Sequence, residues 1–102
     1  MNHVFHPEAA LEFEDAVQFY QIHGRTLADR FTWKVRKSIQ QILSTPERWR
    51  VVEADVRRCS VAIFPYAVLY SIEANFILIL AIAHHKRDPG YWKNRLLSKP
   101  RI

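Results

Sequence analysis

Residues 76–83, Phe-Ile-Leu-Ile-Leu-Ala-Ile-Ala, form an unbroken apolar run with no alternation. At the ~20 residues a membrane-spanning helix needs, the run is far too short to cross a bilayer. Its β-branched residues and the turn signals on either side make it a strand. A half-exposed strand alternates apolar and polar residues; one apolar throughout is covered on both faces and lies at the centre of its sheet. This requirement decides what the rest of the chain must supply: neighbours on both edges and cover on both sides.

The neighbours before it are readable. Residues 56–64 form a strand, with Arg57, Cys59, Val61 and Ile63 expected on one face. Phe64-Pro65-Tyr66 is a turn, and residues 67–73 alternate at strand period. Ala74-Asn75 is a two-residue hairpin loop, where asparagine tolerates a positive φ. These strands and the apolar run make an antiparallel meander whose last member would be an open edge. The short strand His3-Val4-Phe5-His6, stopped by Pro7, is expected to pair along that edge and make the run central.

The cover comes from two helices. Pro7 suits the first turn of a helix, and Glu8 and Glu12 favour its positive end. Ala9, Ala10, Phe13, Ala16, Val17 and Tyr20 make one apolar stripe, and His23-Gly24 ends it. Residues 26–44 form the second helix, with Leu27, Ala28, Phe31, Val35, Ile39 and Ile42 at intervals of three and four. Pro46 sets its end. So tight a connection folds the two back on one another as a helical hairpin. The expected fold is α+β, one domain over residues 1–102. Its order is β-α-α-β-β-β, with the hairpin packed on a mainly antiparallel four-stranded sheet and a short C-terminal helix.

Some apolar residues fall off the helical stripes, among them Leu11 and Ile22 on the first helix and Trp33 on the second. Protein surfaces normally expose some apolar atoms. The alternative is a docking face for a partner chain.

Charge and cysteine content narrow the setting. Fifteen Lys and Arg against ten Asp and Glu give a net charge of +5, which suits acidic or polyanionic partners without choosing among them. A lone cysteine, Cys59, excludes an intrachain disulfide and reads as a small buried hydrophobe. With no secretory leader, the expected compartment is the cytoplasm.

The sequence carries no phosphate-binding glycine loop, zinc-like spacing or Gly-X-Ser-X-Gly. His84 and His85 are adjacent, so on a strand they point to opposite faces and cannot chelate one ion together. No metal or cofactor is expected. What remains is a basic and aromatic set: Arg57, Arg58, Tyr66, Tyr70, His84, His85, Lys86, Arg87, Tyr91, Trp92 and Arg95. The two arginines that begin the outer strand are expected to meet the histidine run that ends the central one.

Such a set suits metal-free RNA cleavage. Histidine can act as base or acid, arginine can clamp the phosphate, and an aromatic ring can stack a base. The plainer reading is a solvated basic edge whose aromatics pin the tail to the sheet. Trp92 reads as an anchor there, and Tyr91 as the better contact for a substrate.

The chain resembles the RelE/ParE superfamily, the toxins of bacterial type II toxin–antitoxin pairs, also described as plasmid-stabilisation proteins. The likeness rests on Phe5-His6-Pro7-Glu8-Ala9, the helix from Phe31 to Pro46, and Val56-Arg57-Arg58. It continues in Phe64-Pro65-Tyr66-Ala67-Val68-Leu69-Tyr70 and in the run from His84 to Trp92. The resemblance implies a growth-inhibiting toxin neutralised by a cognate antitoxin, for which Leu11, Ile22 and Trp33 are the candidate contacts.

RelE-like members cut mRNA on the ribosome; ParE-like members poison DNA gyrase. Arg57 or Arg58 corresponds to the family's strand arginine, and Arg87 and Tyr91 fall near its C-terminal functional positions. The first meander strand lacks a lysine pair, and Arg-Asp-Pro-Gly-Tyr-Trp resembles the ParE-like ending. The gyrase target is therefore the leading expectation, with Lys86, Tyr66, Tyr70, Trp92 and Arg95 as target contacts. If the chain is instead a nuclease, Arg57, Arg58, His84, His85, Arg87 and Tyr91 are the catalytic candidates. A third expectation is a non-toxic remnant that only binds antitoxin.

Overall fold

The computed structural model describes residues 1–101. In chain order it contains β1 (Asn2–Phe5), α1 (Pro7–His23), α2 (Arg25–Ser44), β2 (Val51–Glu53), β3 (Val56–Ser60), β4 (Tyr66–Ile72) and β5 (Phe76–His84). A 3-10 helix, Lys93–Ser98, follows. The sheet order is β1-β5-β4-β3-β2, so the apolar run lies at an interior position, flanked by β1 and β4. β1 pairs with it in parallel, Asn2 opposite Phe76 and Phe5 opposite Ile79, while the other pairings are antiparallel.

Both faces of β5 are covered. Toward the helices, Ile77, Ile79 and Ile82 pack with Phe31, Val35, Ile39 and Ile42 of α2 and Ala9 and Ala16 of α1. On the other face, Leu78, Leu80 and Ala81 pack with Val56, Leu69 and Trp92. Burying each large aliphatic or aromatic side chain contributes roughly 1.5–3 kcal/mol, so this double cover is where the fold's stability is concentrated. The absence of alternation in the run thus has two causes, a helical hairpin and a C-terminal segment that crosses the opposite face.

Three features depart from the sequence-based expectation. The sheet has five strands, because Val51–Glu53 adds a short edge strand to β3. Three residues are too few to display a period, and the Ala54-Asp55 turn that follows puts alanine at φ +51°. Second, β3 ends at Ser60 rather than running to residue 64. Val61 and Phe64 are buried, but Ile63 between them is 69% exposed and adopts φ +60°. A β-branched residue there costs on the order of 1–3 kcal/mol.

The third departure concerns the basic residues. β3 and β5 run in the same direction on either side of β4, so the start of β3 and the end of β5 lie at opposite ends of the sheet. The register shows it: Arg57 is opposite Tyr70, which is opposite Ile79, whereas His84 is opposite Tyr66. Convergence of Arg57 with the histidine run is therefore not what the topology gives.

Candidate functional site

Beyond β5 the chain turns back over the sheet. The His85 amide donates to the Pro65 carbonyl at 2.9 Å, and the Lys86 amide donates to His84 Nδ1 at 3.0 Å. Gly90 has φ +78°, a conformation that L side chains rarely adopt, so the bend favours glycine. Past it, the indole of Trp92 is buried against Val56, Leu69 and Ala81 and fastens the segment to the sheet.

One carboxylate holds the segment from the other side. Arg95 Nη1 and Nη2 donate to Glu12 Oε1 and Oε2 at 2.8 and 2.9 Å. The Tyr91 hydroxyl donates to Oε2 at 2.6 Å, and the Ile82 amide donates to Oε1 at 3.0 Å. Arg95 Nη1 also donates to the Leu80 carbonyl at 3.0 Å. β1 pairs only as far as Ile79; beyond it, the Glu12–Arg95 pair satisfies the β5 backbone groups that a longer β1 would have met. Burial, and then the hydrogen bond and charge of Glu12, push the Tyr91 hydroxyl well above the ordinary phenol range. The hydrogen bond to Glu12 likewise holds Arg95 above its usual value, against the effect of burial.

Between this segment and the sheet lies a cleft of about 450 Å³ lined by Arg58, His84, His85, Arg87, Lys93 and Tyr91, with Leu69, Ala83 and Trp92 as apolar floor. Arg87 lies over the Tyr91 ring, its Cζ 3.8 Å from the centroid, and forms no ion pair among the described residues. Arg58 has a single recorded partner, Ser60 Oγ at 3.0 Å. Lys93 is paired with Glu53 at 2.8 Å. Glu53 and Asp88 also line the cleft, but neither Arg58 nor Arg87 is in an ion pair among the described residues, so both guanidiniums have the donors to meet an anionic group.

The other sequence candidates are distributed more widely. Lys86 is exposed beside the cleft. Arg57 faces the helices, where its Nη1 donates to the carbonyls of Glu47 and Trp49 at 3.0 and 2.7 Å. Tyr70 is fully buried on that same face, its hydroxyl donating to the Pro46 carbonyl at 2.5 Å; burial pushes its pKa up to about 12. Tyr66 is half-buried, edge-on to the His84 ring with centroids 5.0 Å apart. Arg95 is 6% exposed.

Leu11, Ile22 and Trp33 are exposed on the helical hairpin. The Trp33 ring is flanked by Lys34 and Lys37, with Nζ 5.2 and 4.8 Å from its centroid. Trp33 also borders a second cleft, with Arg36, Lys37, Gln40, Gln41 and Ser44.

Glu12 is the residue the sequence reading missed. A signal was available: it is three positions after Ala9 and four before Ala16, so a carboxylate interrupts the apolar stripe of α1. A charge in such a place needs a buried counter-charge, and Arg95 supplies it.

A family model described as "ParE toxin of type II toxin-antitoxin system, parDE" matches residues 4–89. The match takes in the sheet, both helices and the cleft residues Arg58 through Arg87, and stops before Tyr91. Among solved structures, the chain is similar to one titled "Chromosomal ParDE TA system from P. aeruginosa", with a TM-score of 0.74 at 17% identity. The similarity covers 82% of this chain and 95% of that one, and it shows a shared fold. A search of the curated proteins found no significant match. With the family model spanning nearly all of the sheet and the helical hairpin, the chain belongs to the ParE toxins of type II toxin–antitoxin systems.

Proposed function

We propose that this toxin arrests growth by binding DNA gyrase, with the basic cleft and its C-terminal rim as the contact surface. The contacts assigned to the target are Arg58, His85, Lys86 and Arg87, with Tyr66 and His84 behind them. The observation that carries a binding rather than a cleaving role is the commitment of two nuclease candidates to the fold itself. The Tyr91 hydroxyl is donated to Glu12, and Arg57 is turned to the Glu47 and Trp49 carbonyls. Neither is free to act on a ribose hydroxyl or a leaving oxygen. Supercoiling of relaxed plasmid by gyrase is expected to fall as purified protein is added; unchanged supercoiling at excess protein would overturn the target.

A second reading is mRNA cleavage on the ribosome. Arg58, His84, His85 and Arg87 line one cleft, so guanidiniums able to clamp a phosphate share it with two imidazoles. It predicts new mRNA ends in ribosome-bound message during expression, and their absence would exclude it.

The partner that silences the toxin is assigned to the helical hairpin. Its exposed Leu11, Ile22 and Trp33, with cations beside the indole, suit an antitoxin segment that is apolar on one side and acidic at its margins. No described helix is long and apolar enough to cross a membrane, and the proposed partners are soluble macromolecules of the cytoplasm.

A further inference from the structure

We propose that Ile63, at the tip of the turn between β3 and β4, is a contact residue that seats in an apolar hollow rimmed by carboxylates on the target protein. This rests on the reading that the toxin acts by binding a protein.

Three observations point to it. The chain takes positive φ at Gly24 and Gly90 and at two other residues, Ala54, whose side chain is a single methyl, and Ile63. At Ile63 it holds a β-branched side chain in the same unfavourable half of conformational space, with 69% of the residue exposed. A strained β-branched residue that is largely exposed is a mark of use elsewhere.

The turn is also anchored on both sides of Ile63. Val61 and Phe64 are buried on either side, with the Phe64 ring edge-on to Phe31 at 5.1 Å. The Val61 amide donates to the Tyr66 carbonyl at 2.9 Å and the Tyr66 amide to the Phe64 carbonyl at 2.8 Å. Ile63 is therefore presented in one fixed direction, which lowers the entropy lost on binding.

The third observation is the company it keeps. The His85 amide is bonded to the Pro65 carbonyl, two residues from the tip, and exposed Lys86 follows it. Arg58 reaches Ser60 at the foot of the turn. An aliphatic tip beside cations matches an apolar hollow with an acidic rim. It offers a nucleic acid neither a stacking face nor a hydrogen-bond donor, so a protein surface is the better complement.

The test compares the wild type with Ile63→Gly, Ile63→Asn and Ile63→Leu, using purified DNA gyrase as the probe. Glycine and asparagine tolerate the positive φ, so both variants are expected to keep or raise Tm. Their inhibition of supercoiling is expected to weaken about tenfold or more. Ile63→Leu keeps the apolar tip and is expected to inhibit as the wild type does. If the wild type inhibits gyrase and the glycine and asparagine variants inhibit equally well, the contact is overturned while the target stands. If the wild type itself leaves gyrase unaffected, target and contact are both overturned. If inhibition is lost only in proportion to a lowered Tm, Ile63 serves the fold and the contact is overturned. If the variants instead lose inhibition only in an assay of ribosome-bound mRNA cleavage, the occupant is RNA and the protein contact fails.

Discussion

Arg95 and Glu12 are 83 positions apart in the chain, yet the guanidinium and the carboxylate meet along two parallel hydrogen bonds of 2.8 and 2.9 Å. The pair joins the first helix to the last turn of structure and closes the part of β5 that β1 does not reach. Truncating either partner leaves the other charge largely buried with its main counter-charge gone. Arg95→Ala or Glu12→Ala is expected to cost about 3–5 kcal/mol in urea unfolding, and to speed hydrogen exchange at the Ile82 amide, which Glu12 accepts. A loss under about 1 kcal/mol would mean that Trp92 alone holds the segment.

Alkali should unfold the protein through its buried phenols. In the unfolded chain Tyr70 ionises near the ordinary pKa of about 10, but in the folded protein only near about 12, because burial disfavours the phenolate. A group whose folded pKa is raised contributes stability that is complete below the unfolded value and disappears as pH climbs to the folded one. Stability is therefore expected to fall between pH 10 and 12, with about 2–3 kcal/mol of the loss from Tyr70. Denaturant midpoints across that range should show a shallower decline for Tyr70→Phe than for the wild type. Parallel declines would remove Tyr70 from the account.

The two neighbouring arginines of β3 should separate cleanly by substitution. Arg58 borders the basic cleft, so Arg58→Ala is expected to weaken growth inhibition about tenfold, as loss of one charge-assisted contact of ~1.5 kcal/mol would. Arg87→Ala should behave alike, and neither should move Tm by more than a few degrees. Arg57→Ala removes hydrogen bonds to two backbone carbonyls and should lower stability by about 1–2 kcal/mol. Growth assays of the three, read beside their melting curves, would contradict the assignment if Arg57→Ala alone abolished inhibition in a stable protein.

The antitoxin face is open to an equally direct check. Trp33 is exposed, so Trp33→Glu is expected to leave Tm within a few degrees. It should weaken the affinity of the cognate antitoxin by about 2 kcal/mol, in the range of an interfacial tryptophan. Titration calorimetry beside a melting curve decides it: equal losses in binding and folding would place Trp33 in the fold rather than at the interface.

The sheet was legible because its centre announces itself. An apolar run without alternation demands two covered faces and two neighbours, and Pro7, Gly24 and Pro46 punctuate the helices. β2 escaped because three residues have no measurable period. Ile63 was misread because apolar alternation continues through Val61 and Ile63 although the backbone has already turned. The cleft was legible in composition but not in geometry. Which of two adjacent arginines enters it depends on strand parity and on a tail that folds back, and the latter is governed by Glu12, a residue in another element. Tyr91 was read as a free contact because its partner belongs to α1, and nothing local to Tyr91 reveals that.

The parallel pairing of β1 with β5 has a consequence for how the protein comes into being. The first strand, residues 2–5, has its partner at residues 76–79. During synthesis the N-terminal strand and both helices emerge while the surface they are shaped to cover has not yet been translated. Local contacts can build the hairpin early, but the sheet has no centre until β5 is made. The basic cleft sets Arg58 and Leu69 of the earlier strands against residues 83–93, so the nascent chain lacks it until residue 93 has been made.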